Sequence, residues 1–289
     1  MINWKKFWSS ERQSRVKTRY YWFYPLISLL VAMSITISIW LPAAAAWDFL
    51  PLLLQGVQAI QLSSLSDKQE IVLGKQMNQE LSKQIKFYHN PEVDSYIQKI
   101  GQRLAANSTR PHLPYVFQVV DDNAINAFAT TGGYVYVNKG LLKAADNEAQ
   151  VAGVMGHEMG HIEAKHLLQQ MRHQAIEKGI LTAAGLNNSQ AVSLGANLAL
   201  NLPLSRKDEF EADQRGLRNL TRTGYSQTAM VSFMKKLLSK NSPPAFLSTH
   251  PGTSDRIKAL KLEISAQPTS NSNGLDSSLY QNKVRNFLN

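Results

Sequence analysis

The period of the apolar positions changes along this chain, and each change marks a different kind of element. From Tyr20 to Leu41 there is no period: 22 residues run without a charge, behind a basic segment and ahead of Pro-Ala-Ala-Ala-Ala-Trp. That predicts, over residues 1–46, a signal peptide cut after Ala45 or Ala46, or an uncleaved signal anchor that crosses the bilayer once. With the basic residues ahead of the apolar run, either form places the rest of the chain outside the cytoplasm, in the periplasm or tethered to the membrane. Residues 47–64 stay apolar and read as a linker that lies on a membrane or docks on the domain. From Ser66 to Ala106, apolar residues return at helical spacing in two runs, SDKQEIVLGKQMNQELSKQI and NPEVDSYIQKIGQRLAANS. Ser66 or Asp67 suits the cap of the first, and Pro91 the start of the second. Alternation follows in PYVFQVV and, after a turn at Asp121-Asp122-Asn123, in AFATTGGYVYVNKG. These predict strands, with Tyr134 and Tyr136 on one face and Val135 and Val137 on the other.

Helical spacing resumes at Asn147, an N-cap with Gln150 as its box partner, and runs through Val151, Val154, Met155, Glu158 and Ile162. Gly153, Gly156 and Gly160 each cost about 1 kcal/mol relative to alanine inside a helix, so close approach by another backbone or a substrate is expected there. A further helix is predicted from a cap at Ser205, with Asp208 as its third position, to Gly224. Between the two, Ile180 to Ser205 carries no charge. Its asparagines argue against a membrane span and leave a hydrophobic lid over a site, or a helix pair packed on the core. Beyond residue 265 the composition turns to Ser and Asn, which predicts a flexible polar tail over 266–289. Residues 65–265 thus form one domain, α+β and mainly helical, within a chain of 289 residues.

Composition narrows the chemistry. The chain has no cysteine, which excludes disulfide frameworks, thiol nucleophiles and cysteine-held zinc, and leaves histidine and carboxylates as the metal donors. The net charge of +10 is half N-terminal: Lys5, Lys6, Arg12, Arg15, Lys17 and Arg19 stand against Glu11 alone. The remainder is spread without a basic block, which gives no nucleic-acid site and suits a surface near anionic lipid.

Three of the seven histidines fall in GHEMGHIEAKH, Gly156 to His166. His157 and His161 are four apart, on one helix face, with Glu158 beside the first. This is HExxH, in which two imidazoles hold zinc and the glutamate serves as general base toward water. About 0.006 chance matches are expected in a chain of this composition. A catalytic zinc needs a third protein ligand. The pattern HExxHxxGxxH would need glycine at 164 and histidine at 167, where the chain has Ala164 and Leu167. His166, nine residues from His157 and about 180° round a continuous helix, reads as a surface residue. In SRKDEFEADQRG, Glu209 and Asp213 share a face, which allows Glu209 to bind the metal while Asp213 fixes a ligand histidine. Glu211 points about 200° away from Glu209.

With HEMGH, then SRKDEFEAD as an E-x-x-x-D motif, then STHPGTSDRI, the chain resembles the HtpX/Oma/CAAX-protease superfamily of gluzincin metallopeptidases, family forty-eight. NAFATTGGYVYVNKGLL and EIVLG with SYIQKIGQRLA make it most similar to the soluble envelope branch typified by BepA and LoiP. The resemblance covers roughly residues 65 to 262. It implies a gluzincin-type domain with an HExxH helix, a second ligand helix and a small mixed sheet. It also implies one zinc per chain held by His157, His161 and Glu209, Glu158 as base, Asp213 behind the ligands, and cleavage of misfolded or unassembled envelope polypeptides. His250 would approach the metal, as an added ligand or as a donor to the oxyanion. Tyr134, Val135 and Tyr136 offer an edge on which an extended substrate could add a strand, and Asn126 resembles the family's polar contact to substrate backbone. The competing reading is an envelope binding protein of chaperone type with zinc mainly structural.

Overall fold

The structure is a computed structural model that describes residues 61, 62, 64–180, 185–201 and 203–288. The expected signal segment, 1–46, and nearly all of the expected linker, 47–64, lie outside the described residues. Helix α1, Asp67–Leu81, opens on a capping box between Ser66 and Gln69. Helix α2, Pro91–Ala105, starts from Asn90, whose side chain accepts from the backbones of Glu92 and Val93. Both starts are where the sequence puts them.

Three short strands follow: β1, Val116–Val120; β2, Ala127–Ala129; and β3, Tyr134–Asn138. β3 lies in the middle, parallel to β1 from Val116↔Tyr134 to Val120↔Asn138 and antiparallel to β2 from Ala127↔Val137 to Ala129↔Val135. The return from β2 to β3 passes through Gly132 at φ +72° and Gly133 at φ +103°, and a Cβ on Gly132 would stand 2.7 Å from the Glu70 carbonyl oxygen. Only glycine serves such a turn. The faces of β3 alternate as expected, but both are covered. Val135 and Val137 enter the main core, while Tyr136 packs with Leu81, Phe128 and Ala196 and donates to Asn78 Oδ1 at 2.9 Å.

The sheet hands the chain through α3, Lys139–Ala144, to the central helix α4, Glu148–Glu163, of which every residue from Ala149 on is buried. Asn147 caps it by accepting from the Gln150 backbone. After α5, His166–Glu177, and α6, Asn188–Asn201, comes α7, Arg206–Thr223, capped by Ser205 and stopped by Gly224 at φ +78°. α4 and α7 meet backbone to backbone. A Cβ on Gly160 would lie 2.6 Å from the Ala212 carbonyl oxygen, and one on Gly216 would lie 2.9 Å from the His157 nitrogen. The helical glycines therefore serve the close approach that their cost predicts.

The uncharged stretch supplies α6, which buries Ala191, Leu194 and Leu198 against α1 and α5. No described helix is long and apolar enough to cross a membrane. Helices α8, Thr228–Leu238, α9, Ala245–Thr249, and α10, Thr253–Ala266, close the core. The predicted flexible tail needs correction, because it ends in α11, Ser277–Leu288. Its Tyr280 is 1% exposed and donates to the Leu142 carbonyl at 2.6 Å. Tyr280, Val284 and Leu288 form a single buried stripe at four-residue spacing, which the Ser- and Asn-rich composition around it conceals.

At the N-terminal side α1 is pinned to the end of α4. Glu70, fully buried, takes two hydrogen bonds from Arg110 at 3.0 and 2.8 Å, and Arg110 also donates to the Ile162 carbonyl at 3.1 Å. Lys165 joins the same carboxylate at 3.0 Å.

Candidate active site

α4 brings His157, Glu158 and His161 to one buried point, at 1%, 1% and 5% exposure. The Nε2 atoms of the two histidines are 3.0 Å apart. From α7, Glu209 places Oε2 3.4 Å from His157 Nε2 and Oε1 3.5 Å from His161 Nε2. Asp213, one turn further, holds His157 Nδ1 at 2.9 Å. That contact fixes the proton on Nδ1 and turns the Nε2 lone pair to the cluster. Glu211 faces elsewhere and pairs with Arg215 at 2.7 Å, as the helical geometry predicts.

His250 follows α9, just before Pro251, and is 4% exposed. Its ring stacks on Phe246 with centroids 4.4 Å apart. Nδ1 lies 3.2 Å from His157 Nε2 and 3.2 Å from Glu209 Oε1, and Nε2 lies 3.4 Å from Glu158 Oε1. A buried residue absent from the sequence reading joins these groups. Arg256 on α10, fully buried, clasps Asp213 through Nε and Nη2, both at 2.7 Å. Its Nη1 reaches Glu209 Oε2 at 2.6 Å and the His250 carbonyl at 3.2 Å. Its signal in the sequence is its position on the same helical stripe as Thr253, Ile257 and Leu260, the buried face of α10.

Electrostatics follow from this packing. Burial and the Arg256 charge both oppose a charged His157, but Asp213 and Glu209 outweigh them and hold its pKa up at about 9. Burial depresses His161 well below the ordinary histidine range. Burial also works against the Glu209 anion, yet His250 and His157 hold it well below the usual carboxylate range. Glu158 is raised by burial, and its Oε1 has no hydrogen-bond partner. A buried carboxyl raised above its ordinary value suits a general base.

The donor set fits a metal. Ligand atoms of His157, His161, Glu209 and His250 all lie within 4.8 Å of one another, and all four residues are buried. Tetrahedral bonds of about 2.0–2.1 Å put donors about 3.3 Å apart, close to the 3.0–3.5 Å seen among His157, His161 and Glu209.

Two expectations need correcting. His166 is not a surface residue: it is 1% exposed, with Nδ1 2.9 Å from His161 Nδ1. The continuous helix assumed for it breaks after Glu163, where Lys165 takes the left-handed conformation, φ 58° and ψ 31°, before α5 begins. Tyr134, Val135 and Tyr136 do not form a free edge, because β3 is hydrogen-bonded on both sides. The outer strand is β2. The bonds Asn138 N–H to Asn126 O and Thr130 N–H to Tyr134 O, each 3.0 Å, turn positions 126, 128 and 130 toward β3. Antiparallel alternation then directs the backbone groups of Ala127 and Ala129 outward. Ala129 and Phe128 border a cleft with Leu198, Ala199, Glu158 and His161. Asn126 stands at the head of this strand, where its Oδ1 accepts from Thr249 Oγ1 at 3.4 Å.

Metal titration separates the acidic residues of α7. Glu209→Ala should lose metal affinity steeply and Asp213→Asn by about 10- to 100-fold, whereas Glu211→Ala stays within a few-fold of the parent. Equal losses at 209 and 211 would overturn the assignment of the ligand face.

Residues 91–264 match the model of Peptidase family M48. The chain is 31% identical over 212 residues to the beta-barrel assembly-enhancing protease of Escherichia coli (strain K12), covering 68% of this chain and 44% of that protein. It is 31% identical over 251 residues to the metalloprotease LoiP of the same organism, covering 83% and 97%. To the mitochondrial metalloendopeptidase OMA1 of Schizosaccharomyces pombe it is 31% identical over 173 residues, covering 57% and 51%. The chain thus spans about half the length of the beta-barrel assembly-enhancing proteases it matches. HExxH and a helix-borne glutamate converge here on one buried donor cluster, within a domain whose sequence matches over most of its length: the chain belongs to peptidase family M48, the metallopeptidases.

Proposed function

We propose that the protein is a zinc endopeptidase of the cell envelope that cleaves extended stretches of misfolded or unassembled polypeptides. The observation that carries this reading is Glu158: a buried carboxyl outside the donor set, 3.4 Å from His250 Nε2 and lining the same cleft as Phe128 and Ala129 of β2. His157, His161 and Glu209 would hold the zinc, which supplies a Lewis acid and lowers the pKa of water toward about 7. A substrate strand aligns on Ala127 and Ala129 through backbone hydrogen bonds, headed by Asn126. Glu158 takes the proton of the attacking water on its carboxylate and delivers it to the leaving amide nitrogen. Phe128, Leu198 and Ala199 keep bulk water from the cleft.

One feature favours the binding-protein reading. His250 completes a set of four protein donors, the number typical of structural zinc. A structural site has no use for a buried glutamate beside its first histidine and outside the donor set, and Glu158 therefore supports the catalytic reading. The basic and apolar N-terminus supports export. Fractionated cells should release casein-degrading activity from the envelope; a chelator should abolish it and added zinc restore it. Recovery of the activity from cytosol, or its survival in chelator, overturns the proposal.

A further inference from the structure

A ligand histidine ordinarily donates its outer ring N–H to a carboxylate, a backbone carbonyl or water, and here only one of the two does. His157 Nδ1 meets a carboxylate, Asp213, at 2.9 Å. His161 Nδ1 meets a second imidazole, His166, at 2.9 Å. With Nε2 of His161 turned into the donor cluster, its Nδ1 carries the proton and donates it to His166 Nδ1. The proton of His166 then sits on Nε2, a fully buried atom with no hydrogen-bond partner, which lies 3.5 Å from Glu211 Oε2 and 3.7 Å from Asp208 Oδ1.

The chain maintains this contact at some conformational cost. Lys165 is the one non-glycine residue at positive φ among the described residues, a conformation that persists only where surroundings enforce it. Here Glu70 at 3.0 Å, Asp67 at 3.3 Å and the Leu65 carbonyl at 3.4 Å hold its ammonium. The reversal at Lys165 folds the next residue, His166, back onto His161.

We infer that His166 is a positioning residue for the metal site: it fixes the tautomer and ring orientation of His161, and the left-handed turn at Lys165, held by α1, exists to bring it there. Resting on the metallopeptidase reading above, this adds to it the device that aims its second imidazole. A neutral imidazole behind His161 and a carboxylate behind His157 make the two ligands unequal donors, His157 the more electron-rich.

The test is made in a Glu158→Gln background by competition titration with zinc and by the ligand-field spectrum of the cobalt(II) form, neither of which depends on proteolysis. His166→Phe keeps an aromatic ring and loses the acceptor: zinc affinity should fall about 10- to 100-fold and the cobalt bands shift, with the melting temperature of the metal-free protein unchanged. His166→Asn, whose side-chain oxygen can stand where Nδ1 stood, should restore most of both. Lys165→Ile, which leaves the imidazole in the chain but disfavours the left-handed turn, should reproduce the loss, and Lys165→Gly should not. Parental affinity and spectrum in both His166→Phe and Lys165→Ile overturn the inference and return His166 to packing. Absence of zinc binding in the parent protein overturns the metallopeptidase reading instead.

Discussion

Glu158→Gln should bind zinc as tightly as the parent and degrade casein at least about 100-fold more slowly, because positioned acid–base groups contribute about 10²–10⁴ in rate. The expectation rests on a separation visible in the site. The clustered side chains that could hold a metal are those of His157, His161, Glu209 and His250, and Glu158 is not among them. Glutamine keeps the size of the side chain and removes only the capacity to take a proton. Burial raises Glu158 above the ordinary carboxylate range, so the wild-type rate should fall on the acid side as this carboxyl is protonated, and that limb should vanish with the substitution. Loss of the metal from the variant, or undiminished proteolysis, would mean that the division of labour within HEMGH is wrong.

His250→Ala should raise basal proteolysis about tenfold or more. The sequence leaves two roles for this histidine with opposite signs, an added ligand or an oxyanion donor. The geometry favours the first: Nδ1 stands inside the donor cluster, 3.2 Å from both His157 Nε2 and Glu209 Oε1, and the Arg256 guanidinium holds the His250 carbonyl in place. Four protein donors leave no position open for chemistry, so the arrangement with His250 withdrawn is a minor one, of order 0.1–10% for a gap of a few kcal/mol. Removing the ring makes it the main one. Assay at matched zinc occupancy distinguishes the roles, since a drop in kcat of about 100-fold would identify His250 as a donor to the oxyanion.

Local rules carried the sequence reading a long way. The cap at Ser66, the helix start at Pro91, the caps at Asn147 and Ser205 and the stop at Gly224 are where their chemistry puts them. Helical periodicity alone sets His157 with His161 and Glu209 with Asp213. What escaped depends on contacts between distant segments. The inner position of β3 follows from pairing with β1 across a gap that includes β2, and nothing in Tyr134–Asn138 itself reports which neighbours it acquires. Arg256 reaches the site from α10, where its charge argues for solvent until Asp213 and Glu209 are brought to it. His166 was misplaced because one residue, Lys165, reverses the sign of φ, a conformation that lysine does not advertise.

The glycine contact between α4 and α7 locks the register of the two helices. Where helices meet through long side chains, substitutions let one slide over the other, and the spacing of residues they carry drifts. Gly160 against Ala212 and Gly216 against His157 leave no such lubricating layer. The histidine pair and the glutamate are therefore set as one casting, and a chimera that exchanges α4 between homologues without its α7 should misregister the donors even when all of them are present.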